Sequence, residues 1–154
     1  MKKSPEPKIR ISVRRQHLVL KSGRKKLAEY PISTSRFGLG SKEGSFKTPT
    51  GKFRIADKIG DGMPAGTVFK SRRPVKATKK MLREDDLVMT RILWLDGLEP
   101  RNANTHSRYV YIHGTNHEEE IGSPASHGCV RMKNKDVMEL FDRIAEGTPV
   151  EIRP

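Results

Sequence analysis

Apolar residues fall at every second position from Ile9 through Ile11 to Val13, and again at Leu18 and Leu20, with polar residues between. A period of two marks a strand with one buried face. Gly23 signals a turn, and residues 26–34 read as the return strand, so residues 8–34 are expected to form a hairpin. A long Gly-rich loop follows and ends at Thr48-Pro49-Thr50-Gly51. Strand patterns recur at 52–58, around Phe53 and Ile55, and more briefly at 68–73. Residues 74–86 are basic and poorly periodic, and are expected to be loop. Residues 87–97 are rich in β-branched and aromatic residues, with a Gly stop. Residues 108–114 form a further strand pattern that places Tyr109, Tyr111 and His113 on one side.

Only one segment has clear helical spacing. Val137, Leu140, Phe141, Ile144 and Ala145 make one apolar stripe, with Asn134 as the expected N-cap and Gly147 and Pro149 as the stop. A last strand spans 149–154. The sum is a mainly β fold, two packed sheets or a barrel, with one helix in the C-terminal region packed on it.

The chain has 154 residues, enough for one real core without disulfide or metal support. No stretch approaches a membrane span, and the basic start has no apolar run of a signal peptide. As the chain is given, a cytoplasmic location is expected; a trimmed leader would make it periplasmic or cell-envelope. Net charge is +13, concentrated at residues 1–36 and 70–83. Such a field attracts nucleic acid, anionic membranes or acidic polymers. No Arg/aromatic stacking pattern, helix-turn-helix signature or RNP motif accompanies it, so no nucleic-acid partner is expected.

The single cysteine, Cys129, lies in Ser-Pro-Ala-Ser-His-Gly-Cys-Val-Arg-Met, residues 123–132. A thiol attacks carbonyls as its thiolate and needs a base or positive neighbour. His113 ends an apolar strand, where a rigid element can aim it, and His117 and His127 are close in sequence. Gly114 and Gly128 each follow a histidine and allow tight turns. Backbone N–H groups around Gly128 and Cys129 are candidates for an oxyanion hole. Two rival readings exist. A lone cysteine is often a small core residue, although Ser126, His127, Gly128 and Arg131 make polar flanks for one. His113, His117, His127 and Cys129 also supply four potential zinc ligands, but the first two straddle a strand-to-loop break.

Tyr111-Ile112-His113-Gly114-Thr115, followed at fixed spacing by Ile121-Gly122 and by Ser126-His127-Gly128-Cys129-Val130-Arg131-Met132, resembles the catalytic signature of the L,D-transpeptidases, the YkuD-type domain. Gln16 with its flanking strand residues, Tyr30-Pro31-Ile32, Thr48-Pro49-Thr50-Gly51, and the ending from Asn134 to Ile152 extend the likeness over nearly the whole chain. The resemblance implies an L,D-transpeptidase-type β-sandwich of mixed sheets with one helix. It implies a single catalytic domain over 8–154, preceded by a disordered basic tail, 1–7.

It also implies the chemistry. The Cys129 thiolate would attack the third-residue carbonyl of a peptidoglycan tetrapeptide stem, release D-alanine and pass the acyl group from a thioester to an amine. Passing it to water instead would make an L,D-carboxypeptidase. His113 would be the base, oriented by a carbonyl near Gly114, with His127 assisting. Gly128, Cys129 and Gly114 would supply backbone groups at the oxyanion. Arg131 would bind a substrate carboxylate or sit in an internal ion pair. Ser126 and Tyr111 would line the substrate site, Ser126 through a turn-stabilising hydroxyl. No metal or cofactor is implied. The partners expected are stem peptides or muropeptides, acted on by a monomer.

Overall fold

The structure, a computed structural model, describes residues 5–154. Ten strands form one mixed sheet: β1 (Pro7–Ser12), β2 (His17–Ser22), β3 (Lys25–Ser33), β4 (Gly51–Ile59), β5 (Val68–Lys70), β6 (Arg73–Val75), β7 (Val88–Gly97), β8 (Tyr111–Gly114), β9 (Val130–Met132) and β10 (Pro149–Arg153). Two helices, α1 (Lys79–Glu84) and α2 (Asn134–Arg143), complete it. The strand order is β4-β10-β1-β2-β3-β9-β8-β7-β5-β6, and β4 also pairs with β7. Eight strands therefore close into a ring, leaving β5 and β6 as a hairpin on the outer part of β7. The fold is mainly β with one principal helix, as expected. Of the two packings left open by the sequence, hydrogen bonding takes the barrel-like one.

The ring follows from alternation. Ile9, Ile11, Leu18, Leu20, Ile32, Phe53, Ile55, Leu93, Leu95, Ile112, Val130, Met132, Val150 and Ile152 share one buried cluster. Val137, Leu140, Phe141 and Ile144 of the helical stripe join it. Each such side chain contributes about 1.5–3 kcal/mol relative to exposure. Ala145, expected on that stripe, is exposed.

Several local expectations change. The first pattern is two strands, because a turn at Val13–Gln16 reverses the chain, with Gln16 at φ 51°; with β3 they make a three-stranded meander. The expected loop at 74–86 contains the end of β6 and all of α1, capped by Thr78. Tyr109 lies outside β8, exposed, with φ 58°, so it does not share a strand face with Tyr111 and His113. Lys133, not Asn134, is the N-cap of α2. The Asn134 side chain is drawn elsewhere, donating to Thr115 O at 2.8 Å and accepting from Thr90 Oγ1 at 2.6 Å. Of the expected tail, residues 1–4 lie outside the described residues, and Pro7 already pairs with Ser22 in the β1–β2 ladder.

Candidate active site

The site is built on the parallel pair β8–β9. Ile112 lies beside Val130 and His113 beside Arg131. Ile112, Val130 and Met132 point into the core. By alternation, Tyr111, His113, Cys129 and Arg131 fall on the opposite side of the same wall. There Tyr111, Ile92 and Phe69 form a second apolar cluster, with Trp94 and Cys129 packed against it.

His113 is buried, with 3% of its surface exposed. Its Nδ1 lies 2.5 Å from the Gly114 carbonyl oxygen. A carbonyl only accepts, so Nδ1 carries the proton and Nε2 is left with a free lone pair. Burial lowers the His113 pKa, against the opposing pull of the Gly114 carbonyl. The ring is therefore a neutral imidazole near neutral pH, a base by constitution. Gly114 is glycine because of close approach: a Cβ there would collide with Asn134 Oδ1 and lie 2.7 Å from the Met89 carbonyl oxygen.

Cys129 is half-buried. Its Sγ receives the Tyr111 N–H at 3.3 Å and faces the Tyr109 carbonyl at 3.5 Å. Burial pushes the thiol up to about 11, so the resting group is a thiol. It opens into a cleft of about 310 Å³ lined by Phe46, Arg108, Tyr109, His127 and Gly128 among others. Gly128 has φ 120°, a backbone state that other residues adopt only with strain. The buried Ser126 hydroxyl donates to the Cys129 carbonyl at 2.6 Å and accepts the Gly128 N–H at 3.3 Å. It closes the turn that presents the thiol.

Asp86, in the stretch the sequence left as loop, organises the rest. Its Oδ1 lies 2.8 Å from Arg131 Nη2 and its Oδ2 2.9 Å from His127 Nδ1. Burial alone would raise the Asp86 carboxyl, but hydrogen bonds from Arg131 and His127 outweigh it and hold it below the usual carboxylate range. His127 also meets Arg36 Nη2 at 3.1 Å through Nε2. Arginine only donates, so His127 carries its proton on Nδ1, toward Asp86.

Arg131 is 2% exposed and also bonds Glu120 Oε2 at 2.9 Å. Of the two roles the sequence left open for it, the internal ion pair is the one this geometry fits, because both terminal nitrogens are paired with carboxylates and the side chain is buried. The Tyr111 hydroxyl is likewise taken, by Arg72 Nη1 at 3.2 Å. The cation at the cleft is Arg108, anchored on the Lys47 carbonyl at 2.9 Å. The four zinc-ligand candidates form no common cluster among the described residues; His117 instead groups with Glu119 and Glu120.

Gln16 ties this site to the first hairpin. Its amide receives the Thr34 N–H at 2.9 Å and donates to Thr34 Oγ1 at 2.7 Å. The Thr34 carbonyl in turn accepts the N–H groups of Ala125 and Ser126.

Comparison with known proteins fits this geometry. A profile of the L,D-transpeptidase catalytic domain (YkuD) matches residues 6–152. The chain belongs to that family. The YkuD protein of Bacillus licheniformis is 51% identical over 43 residues, 28% of this chain and 26% of its own length. The YcfS protein of Escherichia coli K12 is 28% identical over 135 residues, 84% of this chain and 38% of its own length. The chain thus spans well under half of these relatives.

Among solved structures, the L,D-transpeptidase from Xylanimonas cellulosilytica superposes with a TM-score of 0.64 at 18% identity, covering 99% of this chain and 63% of that one. LdtMt1 in complex with imipenem gives 0.59 at 18%, covering 96% and 58%. These structural matches carry the fold. No helix among the described residues is long and apolar enough to cross a membrane.

Proposed function

We propose that this family member is a cysteine acyltransferase acting on peptidoglycan tetrapeptide stems. The observation that carries the reading is the placement of Cys129 and His113 on one side of the β8–β9 wall, with His113 Nδ1 bound to Gly114 O and Nε2 free. His113 Nε2 takes the Cys129 proton as sulfur attacks the third-residue carbonyl. The peptide C–N bond breaks, the proton passes to the departing D-alanine amine, and a thioester remains. An acceptor amine then attacks, returns a proton through His113, and frees the thiol. The N–H groups of Gly128 and Cys129 are the proposed oxyanion donors.

Arg108 is the cation offered to a substrate carboxylate, in place of the buried Arg131. His127 positions the cleft wall through Asp86. Because a neighbour in fold was solved with imipenem, a carbapenem is expected to acylate Cys129. The compartment follows the substrate, sacculus or recycled muropeptide.

The test is incubation with tetrapeptide muropeptide as both donor and acceptor. Mass spectrometry is expected to show a cross-linked dimer that has lost one D-alanine. Tripeptide monomer alone, with acceptor in excess, would make the enzyme an L,D-carboxypeptidase.

A further inference from the structure

On the wall of the ring away from the thiol, β1 and β2 carry a basic groove. Around the ring, β1 lies four strands from β8 in either direction, while β3, which adds Lys26 and Glu29 to the groove, meets β9 only at its other end, through Ile32 and Ser33. The inner faces of β1 and β2 are committed to the core through Ile9, Ile11, Leu18 and Leu20, so alternation turns Arg10 and Lys21 outward. A groove of about 340 Å³ there is lined by Arg10, Arg15, Lys21, Arg24 and Lys26, with His17, Val19 and Glu29. Glu29 is its one acid, and Lys26 and His17 already bind it, at 2.8 and 2.5 Å. Among the described residues, Arg10, Arg15, Lys21 and Arg24 form no ion pair.

We propose that this groove binds a flexible polymer of phosphodiester groups that carries no bases, independently of the acyl-transfer reaction. Same-face side chains along a strand repeat at about 6.8 Å, and neighbouring strands at about 4.8 Å. The groove thus offers a two-dimensional array of cations to successive negative charges, and binding gains from counterion release. Nucleic acid fits less well. Recognition of single strands uses aromatic side chains on which bases stack, and none lines this groove. The exposed aromatics Phe37, Phe46 and Tyr109 lie elsewhere. Binding here would hold the enzyme on an anionic matrix and leave the thiol cleft open on the far wall.

The test uses the full chain and fluorescently labelled poly(glycerol phosphate), with oligo(dT) of matched phosphate number as the rival ligand. Salt-dependent binding to poly(glycerol phosphate) is expected, tighter than to oligo(dT). Lys21→Glu with Arg24→Glu is expected to weaken it at least about tenfold and to lower the salt slope by about 0.7 for each lost contact. Lys21→Gln with Arg24→Gln gives a milder loss in the same direction. Lys79→Glu with Lys80→Glu, outside the groove, leaves affinity within about twofold, because at physiological salt charges more than about 8 Å from the bound polymer are largely screened. Turnover of a free tetrapeptide stays unchanged in all three variants. Equal loss in the α1 control, unchanged binding in both groove variants, or tighter binding to oligo(dT) overturns the proposal.

Discussion

Asp86 Oδ1 lies 2.8 Å from Arg131 Nη2, beneath the strand pair that carries the catalytic candidates. The contact joins the segment between α1 and β7 to β9, so that segment and the β8–β9 wall share one charge pair. Asp86→Ala leaves a 2%-exposed guanidinium with Glu120 alone. A loss of about 1–3 kcal/mol is expected, read as a lowered Tm. Asp86 sits below its ordinary pKa, so its stabilisation is present above about pH 3.8 and is lost as pH falls through the folded value. Acid unfolding of Asp86→Asn should lack that component. Unchanged Tm in both variants would remove Asp86 from its structural role.

The His113 environment predicts a pH profile. Burial lowers its pKa, and the thiol stands near 11, so the resting pair is neutral. The acid limb of kcat/KM should fall below about pH 6.5, the ordinary histidine value. The unfolded chain binds that proton more readily, so stability should also drop as pH falls below 6.5. An acid limb at or above pH 7 would contradict a histidine base whose pKa burial lowers.

Arg108 and Arg131 should separate kinetically. Arg108 faces the cleft, so Arg108→Gln is expected to raise KM about tenfold with little change in kcat, the loss of one charge-assisted hydrogen bond of about 1.5 kcal/mol. Arg131→Gln should instead lower Tm, because its partners are internal. A KM effect at Arg131 without loss of stability would restore it as the substrate ligand.

Gly114→Ala should disrupt the site through packing. Its Cβ would meet Asn134 Oδ1 and the Met89 carbonyl, both fixed by the bulged β7 strand and the start of α2. A loss of about 1–3 kcal/mol or more is expected from overpacking. A chemical-denaturation midpoint equal to that of the parent would contradict this reading of the glycine.

The helix at 134–143 and the strand at 149–153 were legible because each buries one face, and burial sets the period; the strand at 88–97, buried on both sides over 89–93, was legible instead through its β-branched and aromatic residues and its Gly stop. The first turn was missed, and residues 8–20 were read as one strand, although the chain carries a signal for it. The apolar positions shift from odd, at Ile9, Ile11 and Val13, to even, at Leu18 and Leu20, and that change of phase marks the reversal at Val13–Gln16. Asp86 was not legible. Nothing local distinguishes it from Asp85, and its value comes from partners 41 and 45 residues away. Asn134 misled for a related reason: its residue type suits an N-cap, but tertiary contacts to Thr90 and Thr115 claim the side chain. His113 and Cys129 were visible as residue types, whereas their shared face required the parallel register of β8 and β9.

Cys129 is proposed to carry the acyl group, and intact-protein mass spectrometry during turnover of a tetrapeptide stem can watch it do so. An adduct of the tripeptide acyl mass, mapped to Cys129, is expected; it should disappear with hydroxylamine and be absent from a folded Cys129→Ala variant without activity. Release of D-alanine by Cys129→Ala at the parental rate, with no adduct on the parent, would contradict it.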